Sequence, residues 1–391
     1  MKALILDAEA RTANVRNIPI PIPAAGEVLV QVRAISLNPI DPLYVAHPLG
    51  SSGRTVGSDF AGTIASLSPS IPQAANLNIG NRVAGFLQGA CSVNDRPGAF
   101  AEYAVIPWEL VWRVPEEVKL EEAAGMSLVA LTAAQAIWFR LGLSAPFAYD
   151  QSQVLGKLPE LPRSPIQDPP PTMNFLIYGA STAVGLNAAQ FVRLSAKASG
   201  RTIRLIGVAS KARWNMLESA PYGYDFLVDY REQDWPAQVR TFSAGEGIHI
   251  AYDCISEGDS VALAASTLTA SGRVAIVRSR EGGAWKADNL PVEPIYGAVW
   301  EGLGEEVQYQ GFTIEQSPAA RAFAVNFYKW LGTAAGSDLV PAPVRLMSGG
   351  LERVVEDGFQ LLGPGSMGQR QHNRSEEWMR PVSAEKLVYT L

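Results

Sequence analysis

One stretch limits the fold more than any other. The apolar run Phe175-Leu-Ile-Tyr178 ends in Gly179-Ala-Ser-Thr-Ala-Val-Gly185 and passes straight into a helical pattern. Strand, glycine turn and helix in that order bring free backbone N–H groups and the positive end of a helix dipole to one point, which suits a pyrophosphate. The middle glycine of the usual fingerprint is missing: Ala180, Ser181 and Thr182 follow Gly179, and the two hydroxyls are expected to donate to phosphate beside the free N–H groups. Short apolar runs at 203–209, 226–230, 248–255 and 273–277 follow at the spacing of β-α-β units. The second half is therefore predicted to be a doubly wound parallel sheet of Rossmann type, an α/β architecture.

The end of the second predicted strand bears on which dinucleotide would bind. An NAD site wants an acid there to grip the ribose 2′-hydroxyl. This chain has Ser210, Lys211, Ala212 and Arg213, one hydroxyl and two cations, which is the chemistry of a 2′-phosphate pocket and favours NADPH. Cations at a helix start oppose its dipole, so their presence calls for another reason.

The rest of the chain is organised differently. The first 110 or so residues are strand-like, with runs at 28–34, 63–67 and 101–106, and a helical pattern spans 120–139. Seven prolines (Pro146, Pro159, Pro162, Pro165, Pro169, Pro170 and Pro171) make 144–172 a surface loop or linker. Helices are expected at 319–331 and 350–362, a long polar loop at 363–380, and a closing strand at 385–391 that must find a partner. The expected divisions are 1–143, 144–172, 173–310 and 311–391. At 391 residues, 47% hydrophobic and 18% charged, the chain can fill two cores. A net charge of −6 offers no basic field for nucleic acid or anionic lipid. Cys91 and Cys254 are too few for a disulfide framework, and no apolar stretch is long enough to cross a membrane, so a cytoplasmic setting is expected.

Several motifs add a resemblance that covers nearly the whole chain. Gly26-Glu-Val-Leu-Val-Gln-Val-Arg-Ala34, Leu37-Asn-Pro-Ile-Asp41, Gly57-Ser-Asp-Phe-Ala-Gly62, Gly80-Asn-Arg-Val83 and Gly98-Ala-Phe-Ala-Glu-Tyr103 resemble the β-rich, GroES-like domain of the medium-chain dehydrogenase/reductase superfamily. In its zinc-dependent alcohol dehydrogenases a cysteine stands where this chain has Asn38, and a His-Glu pair where it has Ser58-Asp59. His47, His249 and His372 show no ligand spacing, so no metal is expected. Within the zinc-free branch, Tyr178-Gly-Ala-Ser-Thr182, Asp229-Tyr230, Asp253-Cys-Ile255 and Val382-Ser-Ala-Glu-Lys-Leu-Val-Tyr389 look most like fungal trans-acting enoyl reductases.

That resemblance implies a monomeric enzyme reducing the α,β-double bond of a carrier-bound polyketide thioester, as partner of a highly reducing polyketide synthase or synthase–peptide synthetase hybrid. It implies NADPH contacts at Ile40, Asp41, Pro42, Leu43, Gly179 to Thr182, Gly185, Ser210 to Arg213, Tyr230, Ile276, Val277, Val382 and Ser383. The implied acyl-chain wall is Thr132, Ala133, Ala134, Gln135, Ala136, Ile137, Trp138 and Phe139, with Tyr296, Gly297, Ala298, Val299 and Trp300 a looser match. Thr132 and Asn38 are the candidate polar groups at the thioester oxygen, each with a plain alternative, a helix hydroxyl bonded to its own backbone and a turn former. Tyr44 and His47 are weak candidates for the acid, and water can supply the proton. Where the family often has a lysine, this chain has Leu43. Two other readings stay open: a zinc-free reductase of small quinones or enones, and a non-catalytic NADPH-binding accessory subunit.

Overall fold

The computed structural model describes residues 1–150, 171–309, 311–370 and 373–391. Most of the proline-rich stretch, and His372, therefore lie outside the described residues. The chain divides into two compact units: Met1–Leu128 with Leu303–Ser317 and Phe327–Leu391, and Val129–Gly302 with Pro318–Asn326.

The first unit is built on a seven-stranded sheet whose spine is Glu27–Ser36. This strand pairs antiparallel with Asp59–Leu67, Tyr103–Pro107 and Lys386–Thr390. Its β-branched and aliphatic residues Val28, Val30, Val32 and Ile35 are buried, as a strand packed on both faces requires. The strand expected at the C-terminal end finds its partner here: Val388 faces Ser36, Thr390 faces Ala34, and the Leu37 N–H donates to the Leu387 carbonyl. Lys386 is thereby delivered beside Leu37 and Asn38. The long polar segment before it is pinned from below by the buried Arg345, which donates to the carbonyls of Trp378, Arg380 and Pro381.

The second unit holds a six-stranded, all-parallel sheet in the order Phe226–Val228, Thr202–Val208, Thr172–Tyr178, Ile248–Asp253, Leu268–Ile276, Ile295–Tyr296. In sequence terms that is 3-2-1-4-5-6, the doubly wound order, with its crevice outside the carboxyl ends of the first and fourth strands. Leu176, Ile206, Val228, Ala251, Val261 and Val274 fill the core on one side of it.

Two predicted helices differ from expectation. The pattern at 120–139 is broken: Leu120–Ala124 stops at Gly125, a new helix runs Ser127–Ala134, and Gln135–Arg140 continues in wider π-type turns. The predicted helix at 350–362 is likewise a tight turn at Gly350–Arg353, π-type turns at Val354–Phe359 and a last short piece, Gln360–Leu362. Apolar spacing alone cannot distinguish these turn widths.

Candidate functional site

In the second unit, Gly179 leaves the first strand at φ +75°, a conformation that favours glycine. A Cβ on Gly185 would stand 2.4 Å from the Gly179 carbonyl oxygen, so helix and turn can approach this closely only through glycine. Thr182 is the N-cap of helix Ala183–Ser199: its hydroxyl donates to Gly179 O at 2.8 Å and accepts from the Gly185 N–H at 3.0 Å. The expectation that this hydroxyl donates to phosphate is corrected, because its proton is already committed to the turn. The N–H groups of Ala183 and Val184, in the first turn of a 17-residue helix, have no intrahelical acceptor. They are free to act as donors at the start of the helix, with Ser181 close by in sequence.

At the tip of the second strand, Ser210 is followed by a single tight turn, Lys211–Arg213. The third strand adds groups the sequence reading passed over. Asp229, buried at its end, accepts from the backbone N–H groups of Lys211 and Arg231. Arg231 donates to Ser210 Oγ at 3.0 Å, while its guanidinium lies 4.5 Å from the centroid of the exposed Tyr230 ring. Hydrogen bonds from Arg231 and the Lys211 backbone hold the Asp229 carboxyl below its usual range against the opposing effect of burial. Asp229 is thus an anion occupied in holding the tip together, and Lys211 pairs with Glu232. Three cations, Lys211, Arg213 and Arg231, meet two carboxylates here. The signal for Arg231 was its position next to the Asp229-Tyr230 pair.

At the end of the fourth strand, Asp253 accepts from the N–H groups of Ile255 and Ser256 and from Ser260 Oγ, and burial pushes its carboxyl up to about 6. Ser256 Oγ in turn accepts from the N–H of Val277, tying residues 276 and 277 to the carboxyl edge of the sheet.

The two segments expected to form an acyl-chain wall do come together within this unit. Gln135 Nε2 reaches Val299 O at 3.5 Å, and Arg140 pairs with Glu301 at 3.0 Å while crossing over Gly297 so closely that a Cβ there would lie 1.9 Å from the guanidinium carbon. Ala133, Ala134, Ala136, Ile137, Ala298, Val299 and Trp300 are buried, whereas Thr132, Tyr296 and Gly297 are half-buried. The Thr132 carbonyl accepts from the Tyr252 hydroxyl at 3.5 Å. Trp138 is packed away from solvent: its indole N–H donates to Ser195 Oγ at 2.8 Å and its ring lies 4.4 Å from Phe191. Phe139 sits 5.2 Å from Phe323. Both aromatics pack into this unit's core.

In the first unit, Asn38 and the short helix Ile40–Ala46 sit on a buried polar cluster. Asp41 accepts from the Asn38 N–H at 2.7 Å and from Ser58 Oγ at 2.8 Å. Asn38 Nδ2 donates to Asp59 at 2.9 Å, and Lys386 Nζ donates to Asn38 Oδ1 at 2.6 Å and to Leu37 O at 2.9 Å, with Asp59 3.5 Å away. Burial pushes the Asp41 carboxyl up to about 7, raises Asp59 and pulls Lys386 down, and the ammonium opposes both carboxyl shifts. Ile40, Leu43, Val382 and Ser383 are half-buried and Pro42 is buried. Tyr44 lies 6.3 Å from Tyr309, and His47 is exposed at the end of the short helix. His249 accepts from the Asn174 N–H on the parallel sheet of the second unit.

With this geometry in hand, two family matches divide the chain as the sheets do: residues 24–116 match the alcohol dehydrogenase GroES-like domain, and 183–296 match the zinc-binding dehydrogenase domain. Trans-enoyl reductase traG of Penicillium crustosum is 28% identical over 372 residues, covering 94% of this chain and 95% of that one. Trans-enoyl reductase RAP2 of Pyricularia oryzae is 28% identical over 393 residues, covering 100% and 98%. The chain belongs to the medium-chain dehydrogenase/reductase superfamily. Its fold is shared with an alcohol dehydrogenase superfamily protein from Novosphingobium aromaticivorans (TM-score 0.70, 19% identity, 100% and 99% covered) and with CurK enoyl reductase (TM-score 0.67, 17% identity, 100% and 98% covered).

This oxidoreductase does not fit the zinc implied by the description of its second matched domain. Where zinc-dependent members of the superfamily carry cysteine and His-Glu, an amide and a carboxylate stand beside an ammonium whose nitrogen is 2.6 Å from Asn38 Oδ1 and 3.5 Å from Asp59, and the Ser58 hydroxyl donates to Asp41. A buried cation there repels a second one. Among the described residues no group of three or more His, Cys, Asp or Glu could hold a metal, and no helix is long and apolar enough to cross a membrane.

Proposed function

We propose that this superfamily member is an NADPH-dependent enoyl reductase, acting in trans on the α,β-double bond of a polyketide thioester held on the carrier domain of a reducing polyketide synthase or synthase–peptide synthetase hybrid. The observation that carries the reaction is likeness along essentially the whole chain to proteins named trans-enoyl reductases. NADPH supplies the hydride for the β-carbon. The Ala183 and Val184 N–H groups at the helix start receive its pyrophosphate, and Gly179 and Gly185 keep the backbone close enough to do so. Ser210, Lys211, Arg213 and Arg231 receive the 2′-phosphate, with the Tyr230 ring behind them.

Thr132 is the candidate donor to the thioester oxygen, where negative charge develops, and Asn38 is the alternative candidate, each by resemblance. The segments 133–137 and 296–300 exclude water and line the acyl chain, with Trp138 and Phe139 packed in the core. The α-carbon takes its proton from water. With Leu43 in place of the lysine common in this group, no cation at that position assists the thioester. The enzyme acts as a monomer in the cytoplasm.

The test is NADPH oxidation with a crotonyl or longer enoyl thioester against oxidation with a simple quinone. Turnover of the thioester is expected. Turnover of the quinone alone would transfer the chain to the small-substrate reductases, and tight NADPH binding without turnover on the loaded synthase would make it an accessory subunit.

A further inference from the structure

Three motifs that lie far apart in the sequence meet in the first unit. Leu37-Asn-Pro-Ile-Asp41 brings an amide and a carboxylate, Gly57-Ser-Asp59 a hydroxyl and a second carboxylate, and the closing strand an ammonium from 348 residues beyond Asn38. All five side chains are at least nine-tenths buried: Asn38 2%, Asp41 2%, Ser58 0%, Asp59 0% and Lys386 4% exposed. Burial alone does not call for polar side chains here, because apolar residues of similar volume would pack at least as well. The arrangement has direction. Asn38 Oδ1 faces the ammonium and Nδ2 faces Asp59, so the amide cannot rotate end for end without setting N–H against ammonium and oxygen against carboxylate. Asp41, the first-turn acid of helix Ile40–Ala46, holds the Asn38 N–H from the other side, and the Leu128 N–H completes Asp59.

We propose that Lys386 is a positioning residue: its ammonium, gathered by Leu37 O, Asn38 Oδ1 and Asp59, fixes the Asn38 amide and the turn through Leu43 that follows it. The inference rests on the reading that residues 38–43 face cofactor and thioester.

Removing one charge of a buried pair leaves the other uncompensated, so Lys386→Met alone confounds folding with positioning. The informative variant is Lys386→Met with Asp59→Asn, which removes both charges. It is expected to melt within a few degrees of wild type, and to lose about 10- to 100-fold in kcat with KM for NADPH within about threefold. Amide hydrogens of residues 37–47 should exchange at least about tenfold faster while the parallel sheet keeps its protection. Asn38→Ala, which leaves the ion pair in place, should show a kcat loss of the same size, because Lys386 acts through Asn38. Wild-type kcat in either variant, or unchanged exchange over 37–47 in the double variant, would overturn the proposal. A wild-type protein inert toward every enoyl thioester would sink the functional reading instead, and the exchange measurement would still decide this one.

Discussion

The two regions on which function is argued are built in opposite ways. The cofactor turn is local: seven consecutive residues, Gly179 to Gly185, make it from backbone geometry and one capping hydroxyl. The polar cluster under Asn38 is assembled from the buried side chains of residues 38, 41, 58, 59 and 386, with the Leu37 carbonyl and the Asn38 and Leu128 N–H groups completing it. The first needs only a strand, a helix and two glycines to be right. The second exists only once the closing strand has paired with Glu27–Ser36. A turn of the first kind should therefore fail by steric intrusion, and a cluster of the second kind by loss of charge balance.

The most damaging change to the turn is Gly185→Val. Its Cβ would start 2.4 Å from the Gly179 carbonyl oxygen and its methyls would reach further, so helix and turn must part. NADPH affinity should fall more than about 1,000-fold by fluorescence titration, with far-UV circular dichroism near wild type. Affinity within tenfold would show that the backbone is not where the pyrophosphate is held.

The matching change in the cluster is Asp41→Asn, read by pH. The Asp41 carboxyl is raised by burial from 3.8 to about 7, so between those values the folded protein binds more protons than the unfolded one. Its contribution to stability is greatest below about pH 4 and declines as pH rises to about 7, by something on the order of 4 kcal/mol. Asparagine keeps the shape and an acceptor but does not ionise. Urea unfolding at pH 4.5 and 7.5 should show the variant gaining on wild type at the higher pH. Parallel stabilities at both pH values would mean that Asp41 is ionised at little cost, and that the cluster is less closed than its burial implies.

How far each region could be read in advance follows from the same contrast. The parallel-sheet class, the glycine turn and the basic tip were legible because each is written in adjacent residues whose spacing has one structural meaning. Thr182 was misread as a phosphate donor because residue type does not reveal which partner a hydroxyl already has. Arg231 went unnoticed because it reaches Ser210 across two neighbouring parallel strands, a pairing set by strand order and not by sequence distance. The closing strand was foreseen without its partner, so the meeting of Lys386 with Asn38 had no signal at all. The segment 135–140 carried a helical apolar pattern, and that pattern is the same for α and wider turns.

Between the two extremes lies the basic tip, part local and part assembled. Lys211→Ala with Arg231→Ala removes one cation from each source. Each charge-assisted contact to phosphate is worth roughly 1.5–3 kcal/mol, but Lys211 is shared with Glu232, so a combined loss of about 10- to 100-fold in NADPH affinity is expected. NADH, which lacks the phosphate, should bind within about twofold of wild type. Equal losses for both cofactors would mean the tip is structural, held by Asp229 for its own sake.

The smallest effect sharpens the contrast most, because it asks whether the local turn depends on distant side chains after all. Trp138 donates to Ser195 near the far end of the helix that begins at Ala183, twelve residues and about 18 Å from the cofactor turn. Trp138→Phe gives up that buried hydrogen bond and part of the indole volume, a cost of about 2 kcal/mol in urea unfolding. If the turn is held by its own cap and glycines, NADPH affinity should stay within about twofold. If Trp138 braces the core behind the acyl-chain wall, KM for the enoyl thioester should stay within about threefold as well. A tenfold rise in KM at unchanged NADPH affinity would turn the indole toward the acyl chain, and a tenfold loss of NADPH affinity would make the turn, too, an assembled site.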